Sequence, residues 1–286
     1  MNVLKKGICK PINKVECPTV FGYFGGKYTM SRTLVDWIPE HTNYIELFAG
    51  GLSMFFRKPK AKWNLVNDLN KDITNIYWIL AHEHLKKEFF TQVYYLINSR
   101  YIYDLSIEEI GKDFDFPNVR RAVMYLFHIS TSFNKIIETG FAVNHTNWNT
   151  DLLNTIELSR KKLDNVIVEN RDYREIIKAH KCKKDTFWYI DPPYVVADKE
   201  EYYKYNFENQ DDHYTLKYYI KEIIKNSNAK IMISYDDLPI VRKIYSEEPF
   251  IITDFKTTYA SNSTETNELV ITNYPIPNSQ AKLFEM

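Results

Sequence analysis

The sequence predicts an α/β fold: a mostly parallel sheet that ends in an antiparallel strand, with a helical segment inserted into it. Three observations predict this. Short apolar runs alternate with helix-period stretches between residues 44 and 246, the pattern of βα units that build a parallel sheet. The last two strand-like runs, "FIITDF" (250–255) and "ELVITNY" (268–274), are joined by a polar loop with no helical crossover, so they pair antiparallel. Residues 83–164 break the alternation with helical sequence. The expected organisation is one α/β domain from 1–82 and 165–286, carrying 83–164 as an inserted helical subdomain.

In chain order, "YIELF" (44–48) and "WNLVNDL" (63–69) read as strands that end in Gly-containing or polar turns. Between them "GLSMFFRK" (51–58) starts a helix. In "NKDITNIYWILAH" (70–82), Ile73, Ile76, Tyr77 and Leu80 share one face, which predicts an amphipathic helix. In the insertion, "KKEFFTQVYYLINSRY" (86–101) and "VRRAVMYLFHIS" (119–130) are the better helices, and "NHTNWNTD" (144–151) is a polar loop. Strand "NVIVEN" (165–170), helix "DYREIIKAH" (172–180) and strand "TFWYI" (186–190) follow. Then come helix "HYTLKYYIKEIIKN" (213–226), strand "KIMISY" (230–235) and helix "LPIVRKIYS" (238–246).

Lys and Arg total 37, as do Asp and Glu, so net charge is zero and the chain as a whole does not advertise a polyanion partner. A nucleic-acid surface would have to be a local basic face. The 22 Tyr and 17 Phe supply rings for a core and for stacking on bases. Cys9, Cys17 and Cys182 form no CxxC pair, which points to reduced thiols in a cytoplasm-like compartment. No apolar run reaches the ~18 residues of a membrane span. "MNVLKKGICKPINK" lacks the apolar stretch of a secretory signal.

Four stretches carry chemistry. "FGYFGGKYT" (21–29) fails as a phosphate-binding P-loop, because its glycine spacing is short and Tyr28 follows Lys27. It still offers close backbone approach and a cation. "YIELFAGGLS" (44–53) runs from strand through Gly50 and Gly51 into a helix, at the end of a sheet where ligands bind. Asp68 closes the next strand. It suits the ribose hydroxyls of an adenosine cofactor, with capping of the helix at 70–82 as the rival role. "VENRDY" (168–173) puts Asp172 and Tyr173 after a third strand, as adenine partners or as a helix cap. "DPPY" (191–194) ends a buried strand with an acid, two prolines and a ring. Asp191 and the Pro192 carbonyl can both accept from an exocyclic amine and restore its lone pair. Pro193 stiffens that backbone, and Tyr194 can stack on an extruded base. At the level of residues alone, adenine N6, cytosine N4, RNA, a protein amide and a silent binding homologue stay open. No Cys/His cluster has metal spacing.

Taken together and in this order, these stretches resemble the Dam-like (D12 class) DNA adenine-N6 methyltransferases. "YFGGK" (23–27), "YIELFAGG", "NDLN" (67–70), "DPPY", "DDHYTL" (211–216), "KIMISY" and "ELVITNY" match that family's successive motifs over most of residues 20–275. The resemblance implies a Rossmann-like methyltransferase fold that uses S-adenosylmethionine, yields S-adenosylhomocysteine and needs no metal. It implies that Tyr23 and Lys27 lie near the methionine part of the cofactor. Glu46, Phe48 and Gly50 form the cofactor pocket, Asp68 holds the ribose, and Asp172 and Tyr173 address the cofactor adenine. Asp191, with Pro192, Pro193 and Tyr194, takes the target base, and Asp191 also borders the cofactor. Double-stranded DNA is the implied partner, read by residues 83–164, where Arg120, Arg121, Asn134 and Lys135 are the candidate contacts. No membrane or obligate protein partner is expected. A restriction endonuclease counterpart and a bacterial or phage-infected cytoplasm are compatible settings. Leu47 and Leu52 depart from the family's usual Pro and Gly. "STSFNKIIETGFAVN" (130–144) lacks the arginine of enzymes that read GATC, so that specificity is not carried over.

Overall fold

The computed structural model describes residues 17–23, 26–133, 140–142, 148, 150–194, 207, 209–258 and 265–277. Seven strands form one sheet: β1 (Asn43–Glu46), β2 (Trp63–Asn67), β3 (Ile167–Glu169), β4 (Thr186–Ile190), β5 (Lys230–Asp236), β6 (Ile251–Thr258) and β7 (Glu265–Thr272). Their order is β3-β2-β1-β4-β5-β7-β6. The first five are parallel, and β7 runs antiparallel to both β5 and β6.

The sequence dictates much of this. All five residues of β4 are buried, as expected for a central strand covered on both faces. Phe187 and Tyr189 join one apolar cluster and Trp188 and Ile190 the other, the two-residue alternation of a strand. β7 is the closing antiparallel strand, but it lies inside the sheet. Leu269, Val270 and Ile271 are therefore buried in succession. Its insertion between β5 and β6 sets Glu268 opposite Asp236.

Helix α1 (Ser31–Leu34) precedes β1, and α2 (Ser53–Arg57) follows it. Helix α3 (Lys71–Ala81) is capped by Asn70, whose side chain accepts from the Asp72 N–H. Residues 83–164 hold α4 (Glu83–Tyr95), α5 (Arg100–Ile110), α6 (Val119–Thr131) and α7 (Thr150–Leu163). The single helix expected over 86–101 is two. Ser99 takes an extended conformation and caps α5, and the Leu96 carbonyl accepts from Trp148 Nε1 at 2.8 Å instead of continuing α4. Phe89 of α4, Ala122 of α6 and Ile156 of α7 share one apolar cluster with Val66 of β2 and Tyr77 of α3.

Arg121 corrects an expectation. It is 3% exposed. Its Nη2 donates to Asp72 Oδ2 at 3.0 Å and to the Ile110 carbonyl at 2.6 Å. Arg121 therefore joins α6 to α3 and is not a DNA contact. The reason is packing: α6 is buried at every position from Arg121 to Thr131, and Arg120 alone of its residues is exposed. Arg120 is 62% exposed in its side chain and lies 3.6 Å from Glu109. Asn134 and Lys135 lie outside the described residues.

The second half adds α8 (Tyr173–His180), α9 (Gln210–Asn226) and α10 (Pro239–Ile244). α9 begins three residues before the expected 213, because Asn209 and Asp212 form a reciprocal capping box. Among the described residues no helix is long and apolar enough to cross a membrane.

Candidate active site

The order of strands reverses between β1 and β4, so a crevice opens at their carboxyl ends. A pocket of about 360 Å³ lies there, lined by residues that follow β1, β2, β3 and β4 and by Tyr23 and Lys27.

After β1, Glu46 is buried, and its Oε2 accepts from the Tyr44 hydroxyl at 2.6 Å and the Phe55 N–H at 3.0 Å. Burial pushes this carboxyl up to about 8, against those two hydrogen bonds. Gly50 has φ +45°, and a Cβ there would sit 3.2 Å from the Tyr23 ring. The turn thus needs glycine both for its backbone and for the aromatic packed on it. Leu52 takes the left-handed conformation, φ 54°, at the cap of α2. That backbone is one a glycine adopts without strain.

After β2, Asp68 Oδ2 accepts from the Gly50 N–H and Oδ1 from the Asn70 N–H, both at 2.8 Å. It clips the two turns together, while Asn70 caps α3. Burial raises its carboxyl above the usual range. After β3, Asp172 caps α8 through the Arg174 N–H and pairs with the Arg174 guanidinium at 2.7 and 2.6 Å. The hydrogen bond from Arg174 holds its carboxyl below the usual range. The capping role is thus realised there, with the side chain still lining the pocket. Tyr173 packs beside Phe48 at 5.6 Å and Phe207 at 5.8 Å, an aromatic wall of a kind that suits a purine.

After β4, Asp191 Oδ1 accepts from the Ser234 hydroxyl of β5 at 2.8 Å and pairs with Lys27 Nζ at 3.1 Å. Burial raises the Asp191 carboxyl, and the Lys27 charge opposes that rise. Lys27 is 4% exposed. Its Nζ stands 4.5 Å from the Tyr194 ring centroid and 3.9 Å from Glu268 Oε2. The Tyr194 hydroxyl donates to that same oxygen at 2.8 Å.

The fold therefore gathers Tyr23, Lys27, Glu46, Phe48, Gly50, Asp68, Asp172, Tyr173, Asp191, Pro192, Pro193 and Tyr194 around one pocket. It leaves Arg120 and Arg121 on α6. Sequence reasoning missed Glu268, Phe207 and the anchoring role of Ser234. Glu268 and Ser234 sit in apolar strand runs, where a lone polar residue in a buried strand is the usable signal. Phe207 stands in the polar stretch "KYNFENQ", which carries no periodic signal.

The chain is 23% identical over 259 residues to the DNA N-6-adenine-methyltransferase of Escherichia phage P1, a match covering 84% of this chain and 32% of that protein. The chain thus spans about a third of the length of the curated relative it matches. A crystal structure of a protein from Legionella pneumophila strain Philadelphia 1 aligns over 89% of this chain and 85% of its own. At 12% identity and a TM-score of 0.34, that likeness carries no argument. The family model of D12 class N6 adenine-specific DNA methyltransferases matches residues 23–261. That span runs from Tyr23 past DPPY to the end of β6, and the chain belongs to this family.

Proposed function

We propose that this chain transfers a methyl group from S-adenosylmethionine to the N6 amino group of adenine in a short sequence of double-stranded DNA, with the target base swung out of the helix. One observation carries the reading: Asp191, beside two prolines and an aromatic ring, opens into the pocket at the strand switch point, held by Ser234 and Lys27. The pocket fits the cofactor in kind. Its size is that of a small-molecule site, Asp68 and Glu46 offer acceptors, and the wall of Phe48, Tyr173 and Phe207 suits an adenine. When bound, the cofactor supplies a methyl group on a positively charged sulfur, open to direct displacement.

The chain's own residues do the rest. Asp191 Oδ2, the oxygen away from Ser234 and Lys27, accepts from the target amine together with the Pro192 carbonyl. This turns the nitrogen lone pair out of the ring and balances charge developing on it. Tyr194 stacks on the extruded base. Residues 83–164 read the sequence, with Arg120 among their exposed cations. The setting is the cytoplasm of a bacterium or of a phage-infected cell.

The test is tritium transfer from labelled S-adenosylmethionine to unmethylated bacterial DNA, with nucleoside analysis of the product. Label in N6-methyladenine, lost in Asp191→Ala while cofactor binding persists, is the expected result. Label in N4-methylcytosine or in RNA overturns the substrate. Full turnover in Asp191→Ala overturns the role of that carboxylate.

A further inference from the structure

We infer that Glu268, on the internal antiparallel strand β7, is a positioning residue of the site: it holds the Tyr194 ring by its hydroxyl and shares Lys27 with Asp191. The inference rests on the proposed reaction and adds a residue to it. Four observations carry it.

First, Glu268 is 2% exposed, and a buried carboxylate persists only with partners. Second, two of its partners, Tyr194 and Lys27, line the pocket with Asp191. The Tyr194 hydroxyl donates to Glu268 Oε2 at 2.8 Å, a hydrogen bond to a charged acceptor. Lys27 Nζ stands 3.9 Å from the same oxygen and 3.1 Å from Asp191. Third, Lys27 also lies over the Tyr194 ring at 4.5 Å, so ring, cation and both acids form one unit. Fourth, the topology puts Glu268 there. β7 inserts between β5 and β6, which sets Glu268 against Asp236 at the carboxyl end of β5. As an edge strand beyond β6, β7 would carry Glu268 away from β5.

The unit has a physical consequence. A ring that stacks on an extruded base must present its face at a fixed angle. Tyr194 follows two prolines whose own φ angles are fixed, but they leave its side-chain torsions to the surroundings. The hydroxyl anchor fixes them. It also explains why tyrosine serves here: phenylalanine stacks as well but has no hydroxyl for Glu268.

The experiment compares Glu268→Gln, Glu268→Ala, Tyr194→Phe and the Glu268→Ala/Tyr194→Phe double variant. Glutamine keeps an acceptor for the Tyr194 hydroxyl, whereas alanine does not. Methyl transfer is measured as kcat and KM separately, with cofactor affinity by calorimetry and melting temperature. Expected are a loss in kcat of roughly tenfold to a hundredfold in Glu268→Ala and Tyr194→Phe alike, most activity restored in Glu268→Gln, and a double variant no worse than either single one. Wild-type kcat in Glu268→Ala overturns the inference. So does a silent Tyr194→Phe beside a crippled Glu268→Ala.

A readout independent of turnover separates this inference from the proposed reaction. In protein labelled at the tyrosine ring ¹³Cζ, the resonance lost in Tyr194→Phe should shift in Glu268→Ala and far less in Glu268→Gln. If wild-type protein transfers no methyl group but that shift is seen, the reaction fails and the positioning stands. A resonance unmoved by Glu268→Ala removes the positioning, whatever the activity.

Discussion

Asp72 and Asp191 both meet a buried cation, in two regions built on different plans. Asp72, in the interface of α3 with α6, uses both oxygens on the guanidinium fork of Arg121, at 2.5 and 3.0 Å. Both side chains are nearly sealed, at 2% and 4% exposure. Asp191, at the pocket, is 19% exposed and meets Lys27 and Ser234 through Oδ1. Its cation is shared with Glu268. A fork on a fork fixes geometry and leaves the carboxylate little to offer. A point charge that meets one oxygen of Asp191 leaves the other outside the pair. The first pair joins helices, and the second keeps a carboxylate available.

The contrast can be broken where it should be strongest. Arg121→Met strands the Asp72 carboxylate in the interior, and we expect a loss of about 3–5 kcal/mol in denaturant unfolding. A loss below 1 kcal/mol would show the pair to be incidental. Asp191→Asn should behave in the opposite manner. Methyl transfer falls on the order of 10²–10³-fold, while melting temperature and cofactor affinity change little. A large drop in stability there would make Asp191 another structural acid.

Asp68 sharpens the comparison, because it clips two turns and lines the pocket. Asp68→Ala should weaken S-adenosylmethionine binding about tenfold by calorimetry. Unchanged affinity would leave it the turn clip alone.

Glu46 offers a test by pH. Its folded carboxyl holds a proton up to about 8, whereas an unfolded glutamate releases it near the ordinary 4.5. The native state therefore binds the extra proton, and that contribution to stability is lost as pH rises from 4.5 through 8. Glu46→Gln is spared this loss, so its melting temperature should gain on the wild type across that window. Lys58, pushed down to about 7 by burial, works the other way above 7, but it is present in both proteins. A gap that stays flat with pH would mean that Glu46 ionises normally. The smallest effect is expected at Arg120→Ala, where the slope of log affinity for DNA against log salt should fall by about one. An unchanged slope leaves Arg120 a solvated surface charge beside Glu109.

How legible was this in the sequence? The strands were, because apolar runs bounded by Gly, Pro and Asp mark buried strands. The residues that follow them were too: each strand's carboxyl end faces the crevice, so Glu46, Asp68, Tyr173 and Asp191 meet without long-range knowledge. The break of α4 from α5 was legible only in part. The apolar period runs through Asn98 and Ser99, and the cap that Ser99 forms is seen only in the structure. Arg120 and Arg121 illustrate the limit. Adjacent in sequence and alike in charge, they point about 100° apart on a helix, and only the packing of α3 and α5 against α6 decides which is buried.

By itself the sequence determined the order along the chain of the strands and most of the helices outside residues 83–164, the glycine turn after β1, and the acid, prolines and ring after β4. These follow from local rules of backbone freedom and apolar period. Tertiary structure alone decided that β7 slots between β5 and β6, and so brings Glu268 to Tyr194 and Lys27. It also decided that Ser234 anchors Asp191 and that Phe207 joins Phe48 and Tyr173. Those contacts join residues far apart in the chain, and strand order is set by how whole faces bury against one another, which no local pattern encodes.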